Sequence, residues 1–163
     1  MIRLLLICLV VCGCVDAKAF KFRGLKLKVP EIFVVSQSNV SMRGKATKGD
    51  MQFAIDVNKC PLSRSIFEEA SRSKKALEKL EGMLSIGEIV SCKLVDVLDD
   101  FAYKVESNLG EKMRRLAYYI PVRGNRMVEF SLMFKGKKKD ARNIAREITS
   151  SMKYTKACRC ISG

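Results

Sequence analysis

Any chemistry this 163-residue chain performs is done without histidine, because the sequence contains none. That removes Ser-His-Asp and Cys-His nucleophile arrangements, imidazole acid–base catalysis and every His-containing metal site. The adjacent carboxylates are no better placed. Asp99-Asp100 lies between two apolar runs and reads as a turn. Glu68-Glu69 falls where a helix begins, and carboxylates there complement the positive end of its dipole. Gly44 and Gly49 lack the Lys-Ser/Thr follow-on that a phosphate-cradling loop needs. Serine and lysine are so abundant that a Ser-Lys pair carries no signal. The residues therefore point away from an enzyme and imply no metal and no cofactor.

Cysteine is the remaining reactive type. Seven are present, three of them in the first fourteen residues. Arg3 precedes the apolar run Leu4–Val15, which matches a secretory signal core of ~7–15 residues and falls short of the ~20 needed to span a bilayer. Val15-Asp16-Ala17 offers small or apolar residues at the positions a signal peptidase reads. The expectation is a signal peptide over 1–17 and one α+β domain over 18–163. Val11-Cys12-Gly13-Cys14 also resembles a lipobox, which would end the signal at residue 13 and place a lipid on Cys14. Both readings export the chain, to the periplasm or the medium, or to a membrane-anchored lipoprotein.

In an exported chain, Cys60, Cys92, Cys158 and Cys160 suggest two disulfides, with three possible pairings. A bond within Cys158-Arg159-Cys160 would close a small, strained ring. Cys60 and Cys92 would then each bond one member of the tail pair, or bond each other with the tail pair separate. Cys92 also reads as a small core residue in an apolar run. A four-thiolate zinc site usually takes two close pairs, and only one C-x-C is present.

Charge is the outlier. Lys plus Arg number 31 against 17 Asp plus Glu, a formal net charge of +14. Five cations and no acid lie between Lys18 and Lys28. Arg114, Arg115, Arg123 and Arg126 flank a late hairpin, and Lys135 and Lys137–Lys139 follow. The expectation is a patch of Lys21, Arg23, Lys26, Lys28, Arg123, Arg126, Lys137, Lys138 and Lys139 that binds an anion, with a merely solvated basic surface as the plain alternative. Export makes nucleic acid the least natural partner and favours a lipid headgroup or acidic polysaccharide. Asn39-Val40-Ser41 adds a glycosylation sequon in a polar loop.

The elements that must position these residues follow from periodicity. Leu25, Leu27 and Val29 alternate with lysines, so Lys18–Val29 reads as a half-buried strand ended by Pro30. Ile32–Val35 is a short apolar run, and 36–50 a polar loop or hairpin. Met51, Phe53, Ile55 and Val57 share one strand face. Ser65 and Glu68 fit a capping box for a helix over about 62–84. Four strands follow, near 89–98, 101–106, 113–122 and 127–134. Asp140 then caps a last helix through Ala141, Ile144, Ala145, Ile148 and Met152. Short strands joined by tight turns argue an antiparallel sheet.

Three stretches resemble the PsbP-like and DcrB-like families: Lys26-Leu27-Lys28-Val29-Pro30-Glu31, Leu116–Ile120 with Gly124 and Met127–Leu132, and Ala145–Met152. The resemblance implies an α/β/α sandwich, a central antiparallel sheet flanked by a long helix and a C-terminal helix. It also implies a small exported or lumenal accessory module without catalysis. The expected function is an exported, non-enzymatic accessory or binding module that contacts an envelope or secreted protein. The alternative is a secreted cationic protein that binds anionic membranes or polysaccharides.

Overall fold

The segment Lys18–Val29 changes parity midway: Phe20 and Phe22 are even, whereas Leu25, Leu27 and Val29 are odd. A two-residue reversal would return all five to one face. The computed structural model describes residues 16–59, 64–84, 87–97, 100–122 and 126–154, and it places that reversal at Arg23-Gly24. β1 (Ala17–Phe22) pairs antiparallel with β2 (Leu25–Pro30), Phe22 opposite Leu25 and Phe20 opposite Leu27. Both turn residues have positive φ, 47° and 83°, the type I′ pattern that matches strand twist. The expected single strand is therefore a hairpin. Arg23 is an unusual residue for the left-handed region, and its guanidinium donates to the Val57 carbonyl at 3.1 Å.

The chain continues through β3 (Phe33–Gln37), β4 (Ser41–Ala46), β5 (Met51–Lys59), α1 (Arg64–Ala70), α2 (Lys74–Leu84), β6 (Glu88–Val97), β7 (Asp100–Asn108), β8 (Arg114–Val122), β9 (Arg126–Phe134), α3 (Lys138–Ser151) and β10 (Lys153–Tyr154). β10 joins the other edge of β2, giving a three-stranded sheet β1-β2-β10. The other strands form a seven-stranded sheet in the order β3-β4-β5-β9-β8-β7-β6. Every pairing is antiparallel. This is the α+β architecture that the turn spacing implied.

Two cores lie on the two faces of the large sheet. On one face, Phe53, Ile55, Leu116, Ile120, Phe130 and Leu132 pack against Phe22, Leu25, Leu27 and Val29 of the hairpin and Ala141, Ala145 and Ile148 of α3. On the other, Cys92, Tyr103, Val105, Ala117 and Tyr119 pack against Phe67, Ala70 and Leu80 of α1 and α2. Phe67 stacks on Tyr103 with centroids 4.8 Å apart and meets Tyr119 at 5.2 Å. Each fully buried aromatic or aliphatic side chain of this kind contributes ~1.5–3 kcal/mol.

The long helix expected over 62–84 is two. Ser71 Oγ donates to the Glu68 carbonyl at 2.7 Å, a local bond that competes with helix continuation, and the chain re-enters helix after Ser73. Ser65 lies inside α1 rather than at its cap. Asp140 likewise sits in the first turn of α3, whose cap is Lys137. The far end of α3 is tied to the hairpin, where Ser151 Oγ accepts from the Lys28 amide at 2.8 Å.

Gly44 sits opposite Phe53, and a Cβ there would fall 2.0 Å from the Phe53 ring. That ring is held edge-on by Phe33 at 5.1 Å and is 2% exposed, so it has nowhere to go. Gly44→Ala is expected to destabilise the protein by about 1–3 kcal/mol. Gly82→Ala, where a Cβ in α2 would meet open space, should stabilise it by roughly 0.5–1 kcal/mol. Urea unfolding of the two variants checks both signs.

Candidate functional site

Strand register decides which of the basic residues share a face. Lys21 is opposite Lys26, and Lys26 is opposite Lys153 on its other side. With β2 between β1 and β10, these three lysines form a row across the small sheet, about 5 Å apart from strand to strand. Lys28 lies on the same face two residues along β2, about 7 Å from Lys26. All four are exposed. Ala17, Ala19 and Pro30 are the other residues on that face, so no acid interrupts it. None of the four lysines takes part in an ion pair among the described residues. Like charges directly opposite one another in a sheet are destabilising. The cost is borne because the reverse face of the same strands, Phe22, Leu25, Leu27 and Val29, is core.

The expected patch is only partly assembled. Lys21, Lys26 and Lys28 are brought together. Arg23, at the hairpin turn, reaches Val57, and Arg126 begins β9 two residues from the Val57 partner Val128. Arg123 lies outside the described residues. Lys137–Lys139 are elsewhere. They open α3, whose other end meets Lys28, and the 14-residue helix separates the two sets by about 20 Å. Lys153 completes the row and was not among the expected residues. It sits on a two-residue strand, Lys153–Tyr154, too short for its alternation to show in the sequence.

A second charged cluster surrounds Glu106 on β7, which is 8% exposed. Its carboxylate accepts from Arg142 at 2.9 Å, lies 3.2 Å from Lys104 Nζ and contacts Lys138. Burial alone would raise its pKa, but hydrogen bonds from Lys138, Arg142 and Lys104 outweigh that and bring it down to about 2. Across the sheet, Arg115 is buried and donates through Nη2 to Tyr119 Oη at 3.2 Å and to Glu129. Burial pushes the Tyr119 phenol up to about 12.

Cys92 is a free thiol facing α1, with Sγ 3.8 Å from the Phe67 carbonyl, and burial pushes its pKa up to about 11. It fits the core-residue reading. Cys14, Cys60, Cys158 and Cys160 lie outside the described residues. Asn39 is exposed between β3 and β4, where the sequon placed it in a loop. Among the described residues no group of three or more acidic or cysteine side chains is placed to hold a metal ion. No helix among them is long and apolar enough to cross a membrane.

No protein-family model matches the chain, and no curated protein matches it in sequence. Solved structures do match in fold. The cyanobacterial PsbP protein CyanoP from Synechocystis sp. PCC 6803 superposes with a TM-score of 0.60 at 11% identity, over 88% of this chain and 95% of that one. A mutant of the protein Mog1 superposes with a TM-score of 0.56 at 10% identity, over 86% of this chain and 96% of that one. The chain has a PsbP-like α+β fold.

Glu106 gives the fold a pH signature. Its folded pKa of about 2 is below the ordinary 4.5, so its contribution is complete above about pH 4.5 and is lost as the pH falls towards 2. Glu106→Gln is expected to cost on the order of 1–2 kcal/mol near pH 7, with the wild-type advantage shrinking on acidification. Urea midpoints of the two proteins from about pH 7 down to about pH 3 measure that convergence.

Proposed function

We propose that this chain is an exported, non-enzymatic accessory module that docks an acidic partner through the outer face of the β1-β2-β10 sheet. The observation that carries the reading is the row Lys21, Lys26 and Lys153 with Lys28 beside it, exposed and without ion pairs among the described residues. Four ammonium groups on one small sheet create a field that draws in and orients a partner of opposite charge. The PsbP-like fold supports the accessory role that the sequence resemblance implies. The apolar run before Ala17 supports export, and a lipid on Cys14 would bring this face to a membrane.

A second reading is favoured by the unrelieved charge of the same face. The partner is then an anionic membrane or polysaccharide, and the basic row is itself the active feature. A single acyl chain anchors a protein only marginally, so a lipidated Cys14 and a basic face would act as paired signals.

Both readings predict that Lys21→Glu, Lys26→Glu and Lys153→Glu each weaken binding to heparin roughly tenfold or more, and that wild-type binding falls steeply between ~50 and ~200 mM salt. Vesicles rich in phosphatidylserine and a secretome pull-down then separate the membrane partner from the protein partner. Heparin and vesicle binding indifferent to salt, together with unchanged capture by the variant combining Lys21→Glu, Lys26→Glu and Lys153→Glu, would exclude this face.

A further inference from the structure

The cluster around Glu106 borders a cavity of about 240 Å³ between α3 and the ends of β7, β8 and β9. Leu116 and Phe134 floor it, with Val90 at one side, and Asn108, Arg114, Lys138 and Arg142 supply its polar wall beside Glu106. Strand alternation puts Arg114 on the same face as Glu106 and Leu116, since Glu106 pairs with Leu116 and Arg114 lies two residues before it. The side chains of Ser107 and Arg115 project from the opposite face, so they are not part of this wall.

The charge balance is lopsided. Glu106 is the one carboxylate lining the cavity, and it draws in Lys104, Lys138 and Arg142. With Arg114, which has no ion pair among the described residues, three cations of this wall face one acid, and Lys104 meets that acid from outside the lining. Glu106 fixes the heads of Lys138 and Arg142 but its single charge cannot offset all three lining cations. The N-terminus of α3 opens at the same place, with Lys138 its first residue, so the helix dipole adds to the positive field, offset in part by Asp140 in the same turn.

An apolar floor beneath a cationic rim suits a ligand with one anionic end and a short apolar body. At ~30 Å³ of liquid volume per water, the cavity holds roughly eight waters, which bounds the ligand to about the size of one substituted ring. We infer that this cavity binds a small organic anion, a phosphate or carboxylate group carried on a short apolar body. The anionic end sits between Arg114 and Arg142, and the body lies over Leu116 and Phe134. The site lies at the other end of α3 from the lysine row and does not depend on it.

Phenyl phosphate is the probe, followed by amide shifts of the labelled protein, with inorganic phosphate and phenol as the separate halves. Phenyl phosphate is expected to bind in the millimolar range or better and to shift amides of β7, β8 and the first turn of α3. Arg114→Gln and Arg142→Gln should each weaken it about tenfold, as the loss of a charge-assisted hydrogen bond does, and inorganic phosphate should bind more weakly than the intact probe. Arg114 is exposed, so its variant should keep the wild-type unfolding midpoint, and Arg114→Lys should restore part of the affinity. Absence of shifts at about 10 mM probe would overturn the proposal. So would affinity unchanged in both Gln variants, inorganic phosphate binding as tightly as phenyl phosphate, or shifts confined to the lysine row.

Discussion

Strand β8, next to the centre of the large sheet, is buried on both of its faces, and the rest of the molecule is arranged to permit that. Leu116, Tyr118 and Ile120 point one way and Ala117 and Tyr119 the other, and all five are buried. An antiparallel sheet commonly leaves one face to water. Here each face needs its own cover. The β1–β2 hairpin and α3 cover one, and α1 and α2 cover the other. The exception on β8 is Arg115, whose charge survives burial because Glu129 and Tyr119 meet it.

This constraint also determines where a net charge of +14 can go. The large sheet is occupied by apolar cover over its middle, so cations collect on the outsides of the covering elements. The outer face of β1-β2-β10 is one such surface, and the rim of α3 is another. They differ in kind. The first is an open sheet face without counterions among the described residues, which suits an extended acidic surface. The second is a recess with an apolar floor and a resident carboxylate that holds two of its cations in place, which suits a small ligand. α3 connects them, tied to Lys28 by Ser151 at one end and to Glu106 by Lys138 and Arg142 at the other.

Periodicity made most of this readable. The faces of β5, β8 and β9 follow from alternation alone, because residues two apart in a strand share a side. The antiparallel sheet follows from the spacing of turns. The hairpin at Arg23-Gly24 was written in the parity change from Phe22 to Leu25, yet Arg-Gly lacks the Asn-Gly signature by which such turns are found. The break at Ser71 is invisible to helical periodicity, since Phe67, Ala70, Leu77 and Leu80 keep their apolar positions across it. The lysine row was half legible. Lys21, Lys26 and Lys28 stand out by charge, but their alignment with Lys153 depends on a sheet contact more than 120 residues apart in sequence. The Glu106 cluster was missed for the same reason: Lys104, Glu106, Lys138 and Arg142 come from two elements that only the fold brings together.

The central claim is that the face carrying Lys21, Lys26, Lys28 and Lys153 is where this protein meets acidic partners. Its most direct test is residue-resolved amide mapping of a heparin-derived oligosaccharide on the isotope-labelled protein at low salt. The account predicts shifts concentrated on β1, β2 and β10, with Glu106 and Arg142 unmoved. Shifts spread evenly over the basic surface, or centred on α1 and α2, would contradict it.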